Sequence, residues 1–152
     1  MYSFRKASDS DKGVIYSIME KNMSDYFNRF TPDGWSREKF DAGFKPERIT
    51  VCEMERRVIG FYDVEAKKDF LYLRNLQLTR GSPHLGSVFL GRIEDEARKK
   101  GLSNIRAKMF VKNPAVRLAL RHGFVVAGNI FLESSCWMEK PIRSGSLVDA
   151  CR

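Results

Sequence analysis

The stretch NLQLTRGSPHLGSVFLGRIEDEARKKG, Asn75 to Gly101, constrains the fold more than any other. An apolar run that reads as a strand, Phe70–Leu78, ends in a short glycine loop. Residues at helical spacing follow at once: Leu85, Val88, Phe89, Ile93 and Ala97 line one side of a helix. Gly101 stops that helix after the basic run Arg98, Lys99 and Lys100, as a C-cap does. Loops between a strand and a helix often hold an anion on backbone amides. This one contains Pro83, which has no amide hydrogen to give.

The same reading carried along the chain gives β–α–α–β–β–β–α–β–α–β–β, an α/β layout around one sheet. Tyr2–Lys6 alternates like a strand, and Ser8 or Asp9 caps a helix with Val14, Ile15, Ile18, Met19 and Met23 at helical spacing. Pro32, Gly34 and Gly43 break the next segment, where a short helix is expected over 35–42. Its aromatics, Tyr26, Phe27, Phe30, Trp35 and Phe40, suit a satellite core under a loop or an aromatic acceptor pocket. Ile49–Met54 and Val58–Val64 form a hairpin across EMERRV. Strand 105–111 is followed by a short helix, Asn113–Arg121, with Asn113 as N-cap, Pro114 in the first turn and Gly123 as its stop. Phe124–Leu132 and Cys136–Met138 are the last strands. Residues 1–142 read as one domain and 143–152 as a flexible tail.

A chain of 152 residues with 43% hydrophobic and 30% charged residues reads as an ordinary globular protein. No apolar run approaches the ~18 residues of a membrane span, and MYSFRKASDSDK is not a signal peptide. Cys52, Cys136 and Cys151 show neither zinc spacing nor a CxxC motif, so no metal is expected and the thiols point to the cytoplasm. The excess of 27 Lys+Arg over 19 Asp+Glu, a net charge of +8, favours anionic partners. Basic residues are spread along the sequence (Arg5, Lys12, Arg37, Arg56, Arg57, Lys67, Lys68), which argues against a nucleic-acid tail and makes nucleic acid an unlikely partner. Exposed edges of the last strands leave room for a homodimer.

Gly81 and Gly86 are spaced as in a Walker A loop, but Ser87–Val88 follows where a lysine and hydroxyl residue belong. A GxGxxG fingerprint is also absent. The segment LQLTRGSPHLGSVFL instead resembles the acyl-CoA loop of the GNAT N-acetyltransferase superfamily, L-x-V-x-P-x-x-R-G-x-G-I-G-S-x-L-L. Leu76 and Leu78 match the strand end, Leu85, Gly86 and Ser87 the helix start, and Ile93, Glu94 and Ala97 its continuation. The loop is about two residues shorter than the pattern, His84 stands where a glycine is usual, and Arg80–Gly81 is a displaced Arg–Gly pair. A second block, NPAVRLALRHGF, is similar to N-P-A-x-R-L-Y-E-R-L-G-F in the same family. Asn113, Pro114, Ala115, Arg117, Leu118, Arg121, Gly123 and Phe124 fall in register without a gap.

The resemblance implies a GNAT-like fold: a mostly antiparallel sheet of about seven strands with about four helices. It also implies an N-acetyltransferase that takes acetyl-CoA as cosubstrate and a primary amine as acceptor, by direct attack in a ternary complex. The coenzyme residues it implies are Leu76 and Leu78 along the pantetheine, then Arg80, Gly81, Leu85, Gly86 and Ser87 at the pyrophosphate. Asn113 would hold the arm, and Arg117 and Arg121 the phosphates. A helix N-terminus suits that role, with unpaired amides and about half an elementary charge.

Ala119 stands where the family has a tyrosine that protonates the departing thiolate. Losing one general acid costs about 10²–10⁴-fold, which slows a reaction without abolishing it. Tyr26, Tyr62 and Tyr72 are alternative hydroxyls, Glu65 and Glu133 are candidate bases, and no spacing selects among them. His84 would belong to the coenzyme loop, and His122 is explained by a helix-dipole contact at its C-terminus. The catalytic residues thus remain unassigned. A non-catalytic acyl-CoA binding module is the alternative, and the net charge leaves RNA association as a third.

Overall fold

The computed structural model of the chain describes residues 1–79, 81–82, 84–128 and 134–143. Its elements run β1 (Tyr2–Lys6), α1 (Lys12–Phe30), α2 (Arg37–Gly43), β2 (Ile49–Met54), β3 (Arg57–Ala66), β4 (Phe70–Leu78), α3 (Leu85–Lys99), β5 (Asn104–Phe110), α4 (Ala115–Arg121), β6 (Val125–Val126) and β7 (Ser135–Pro141). This is the order expected from the sequence. The strands form one seven-stranded sheet in the order β1-β2-β3-β4-β5-β7-β6. β4 and β5 are parallel, whereas β1–β2, β2–β3, β5–β7 and β6–β7 are antiparallel. Residue contacts divide the chain into two compact units. One is Met1–Asp63 with Asn75–Leu85, and the other is Val64–Arg74 with the chain from Gly86 onward.

In the first unit, Ile15 and Ile18 of α1 bury with Ile49, Val51 and Phe61 of β2 and β3. Phe40, one of the five aromatics named from the sequence, packs against this cluster with Phe44. Tyr16, absent from the sequence reading, sits among them, 5.8 Å from Trp35 and 5.0 Å from Phe40 between ring centroids. α1 is longer than the sequence indicated, and Val14, expected on its apolar side, is exposed. A 3-10 turn, Asp9–Asp11, precedes it. Asp11 there accepts from both terminal Arg5 guanidinium nitrogens at 2.8 and 2.9 Å and from the Ser8 amide at 2.8 Å. The Arg5 hydrogen bonds, more than any other cause, hold the Asp11 carboxyl down at about 2.

Because the folded-state value lies below the unfolded one, this contribution is present above ~pH 4 and lost as the pH falls towards 2. With Arg5 partly exposed, it amounts to about 1–2 kcal/mol. An Asp11→Asn variant should therefore be less stable by that amount in urea melts at pH 6, and the gap should close by about pH 2.

The hairpin turn between β2 and β3 is tighter than expected. Glu55 and Arg56 both take positive φ, 51° and 65°. That geometry belongs to the two-residue turn that Asn-Gly adopts without strain. The double substitution E55N/R56G should raise stability by about 1 kcal/mol, readable as a higher denaturation midpoint.

In the second unit, parallel pairing joins Phe70–Leu73 of β4 to Asn104–Ala107 of β5. Alternation and register put Leu71, Leu73, Ile105, Ala107 and Met138 on one face, and all are buried. Lys140 lies on that face too, opposite Ile105, and its ammonium pairs with Glu94 of α3. α3 therefore covers this face, with Phe89, Ile93 and Ala97 fully buried as their spacing foretold. Two residues past the end of α4 stands Gly123, whose φ of +88° is the left-handed conformation a helix stop uses. The Gly123 and Phe124 amides close on the Leu120 and Ala119 carbonyls at 3.1 and 3.0 Å.

Of the strand expected over 124–132, only Val125–Val126 is a strand among the described residues. Phe124 is buried but outside it, and residues 129–133 lie outside the description. The tail 144–152 also lies outside it. Cys52 and Cys136 are buried thiols in β2 and β7, as expected for the first two cysteines.

Candidate functional site

β4 runs on past its ladder with β5, from Arg74 to Leu78, and hands the chain to α3 through a loop. The loop is anchored at its start. The Thr79 amide and hydroxyl both donate to the Ile59 carbonyl, at 2.9 and 3.1 Å. The Ser82 amide then turns back to the Thr79 carbonyl at 3.3 Å. Gly81 has φ +92°, and a Cβ there would meet no atom within 4 Å. An L residue would be strained, and open space adjoins this glycine. Arg80 and Pro83 lie outside the described residues.

The first turn of α3 corrects part of the sequence expectation. The Leu85 amide, expected as an anion donor, instead gives its hydrogen to the Ser82 carbonyl at 3.1 Å. Leu85 itself is buried. Gly86 and Ser87 remain in the first turn, where a helix supplies no acceptor of its own for the amides. Gly86 does not need positive φ. A Cβ on it would come within 2.6 Å of Leu118 Cδ2 on α4, so the absent side chain lets α3 and α4 approach. Ser87 is exposed, and its hydroxyl lies 2.9 Å from His122 Nε2. His122, which the sequence explained by the helix dipole alone, thus has a side-chain partner across 35 residues of sequence. No spacing rule could have paired them.

The other expected residues divide by element. Asn113 accepts from the Ala115 amide at 2.9 Å, which makes it a capping residue although Pro114 occupies the boundary position itself. Arg117 and Arg121 are exposed on α4. Leu76 is half-buried in β4, and the Leu78 carbonyl is taken by the Asn22 side-chain amide of α1 at 2.9 Å. Asn22 also reaches Gln77 Oε1 at 3.3 Å, and Gln77 in turn donates to Asn75 Oδ1 at 3.3 Å. The sequence reading missed this amide chain, since neither Asn22 nor Gln77 belongs to a motif.

Among the alternative acids and bases, Glu65 pairs with Arg74 at 3.1 Å and Lys67 at 3.3 Å. Tyr62 is buried, Tyr72 packs on Trp137 at 5.7 Å, and Tyr26 is half-buried. Glu133 lies outside the described residues. Ala119, in the tyrosine position, is 6% exposed. No group of His, Cys, Asp and Glu among the described residues could hold a metal, and no helix among them is long and apolar enough to cross a membrane.

No protein-family model matches the chain, and no curated protein matches it. Solved structures do. PaiA N-acetyltransferase from Thermoplasma acidophilum, in complex with coenzyme A, is 18% identical over 93% of this chain and 99% of its own, with a TM-score of 0.73. The ribosomal-protein-S18-alanine N-acetyltransferase from Escherichia coli is 19% identical over 96% of this chain and 97% of its own, again at 0.73. An acetyltransferase of the GNAT family from Streptococcus pneumoniae is 18% identical over 94% and 100%, at 0.66. The chain has the GNAT fold.

Proposed function

We propose that this chain, built on the GNAT fold, transfers an acetyl group from acetyl-CoA to a primary amine in a ternary complex. The observation that carries the reading is the junction of α3 with α4. There Gly86 admits Leu118, Ser87 meets His122, and the two sequence blocks that resemble the family come together. Each unit has features that fit an acyl-CoA: the second a helix first turn at Gly86–Ser87 and exposed Arg117 and Arg121 on α4, the first open space at Gly81. Acetyl-CoA supplies an acetyl group already activated as a thioester.

The chain's own residues bind and orient it. Amides of Gly86 and Ser87 face the pyrophosphate charge, with Arg80, Arg117 and Arg121 as counter-charges. Strand-like pairing with the pantetheine falls on Leu76, because the Leu78 carbonyl already accepts from Asn22. Asn113 stands at the start of α4 for the same arm. A thiol titrates near ~8.5, so its thiolate departs near neutrality without a strong acid, and Ala119 is consistent with slow turnover. An acceptor α-amine near ~7.7–8.0 needs less help to lose its proton than a lysine near ~10.4. On this reading residues 1–142 act as one acetyltransferase domain in a reducing cytoplasm, in keeping with the buried thiols of Cys52 and Cys136.

Calorimetric titration with acetyl-CoA, followed by thiol release in the presence of peptide, lysine, polyamine and small antibiotic amines, tests the proposal. Binding and release with one acceptor class are expected. Absence of any complex at millimolar coenzyme would end it. Binding without release for any amine would favour a second reading, an acyl-CoA sensor, which the loss of the phenol at Ala119 supports.

A further inference from the structure

The second unit leaves one sheet face away from α3, and side chains scattered in sequence meet on it. Register places Tyr72, Arg106 and Glu139 in one row, and Lys108 beside Trp137 in the next. Tyr72 and Trp137 stand 5.7 Å apart between ring centroids. The Arg74 guanidinium lies over Tyr72 at 5.1 Å, and that of Arg106 over Phe70 at 4.7 Å. Arg74, Arg106 and Lys108 are exposed, while the three aromatic residues are half-buried. Two carboxylates share the face, Glu65 on Arg74 and Lys67, and Glu139 on Arg106.

From this arrangement we infer that the Phe70–Tyr72–Trp137 face is a binding platform for single-stranded nucleic acid, independent of the coenzyme reading. Single strands are held where aromatic rings and guanidinium planes offer surfaces for unstacked bases and cations track the phosphates. The face supplies both elements on a rigid sheet, and the chain's net charge of +8 adds attraction at longer range. A second copy of the chain suits it poorly, since a twofold would set Arg74, Arg106 and Lys108 against their own counterparts. The basic residues of β4 and β5 look dispersed in the sequence only because the strands that align them are about 30 residues apart.

Fluorescence anisotropy with labelled oligo(U) and oligo(dT) tests the inference on the full chain. Binding in the range of about 1–100 μM is expected at about 50 mM salt, with log K falling against log salt at a slope near −2 for three phosphate contacts. Lys108→Ala and Arg106→Ala, both at exposed positions, should each lower that slope by about 0.7, and Trp137→Leu should weaken binding about tenfold or more. The protein has two tryptophans, so in a Trp35→Phe background quenching by unlabelled oligo(dT) reports on Trp137 alone and does not depend on Trp137→Leu folding. Tenfold preference for oligo(U) would assign the platform to RNA through the 2′-hydroxyl, and equal affinity to single strands of either kind. Flat anisotropy, binding that survives Lys108→Ala and Arg106→Ala together, or a sedimenting dimer whose Trp137 is shielded from quencher would each overturn it.

Discussion

A Ser87→Asp variant is expected to fold at least as well as the parent and to bind acetyl-CoA about 10²–10³-fold more weakly. The two effects separate because they have different origins. A carboxylate in the first turn of a helix meets the positive end of the dipole and gains about 0.3–1 kcal/mol. It would also lie beside His122, which already meets the Ser87 hydroxyl. For a bound pyrophosphate the same charge is repulsive. One unit charge about 4 Å from another at an effective dielectric of 20 costs about 4 kcal/mol, and salt screening brings the net below that. Calorimetry reads the affinity and urea melts read the fold. Unchanged coenzyme affinity in a folded Ser87→Asp protein would remove the pyrophosphate from the start of α3. Gly86 is a poorer place for this test. A side chain there meets the Leu118 methyl, so loss of binding would not be distinguishable from a repacked contact between α3 and α4.

The largest stability loss is expected at Asp63. Its carboxylate accepts from Arg48 at 3.0 and 3.3 Å, and its side chain is 8% exposed. Arg48 also donates to the Gly43 carbonyl at 3.0 Å, so one guanidinium ties β3 to the end of α2. Removing one partner of a buried pair costs about 3–5 kcal/mol, because the other charge is stranded. Arg48 keeps some access to water, which places Asp63→Ala near 3 kcal/mol. Asp63→Asn, which retains an acceptor, should cost roughly half as much. Denaturation midpoints for the two variants check the order. An Asp63→Ala protein within about 0.5 kcal/mol of the parent would show that Arg48 finds water instead.

The sequence carried the elements well because their signals are local. Leu85, Phe89, Ile93 and Ala97 lie on one face at helical spacing, and β4 ends at Leu78, where its apolar run ends. Boundaries slipped where the backbone was held by distant groups. The β2–β3 turn is tighter than its sequence indicates, since nothing in Glu55–Arg56 announces positive φ. Among the site residues, the glycine and serine at the start of α3 were named from a motif, but their surroundings were not legible. Leu118 against Gly86, His122 on Ser87, and Asn22 on the Leu78 carbonyl are contacts across 32, 35 and 56 residues. One of them, together with the local bond from the Leu85 amide to the Ser82 carbonyl, changes what the named residues can offer. The Leu78 carbonyl and the Leu85 amide, both ligand groups by the family resemblance, each already have a partner within the chain.

The strand order carries a consequence for how the protein is made. β7, made after both of its neighbours, sits between β5 and β6, so residues 135–141 must insert rather than append. Until residues 135–141 are available, β5 offers an open edge and β6 has no neighbour in the sheet. At about 5–20 residues per second, most of the chain therefore waits several seconds with that gap exposed. Truncation before Ser135 should thus yield an aggregation-prone product rather than a smaller soluble domain. How well residues 135–141 insert then governs how much usable protein a cell obtains.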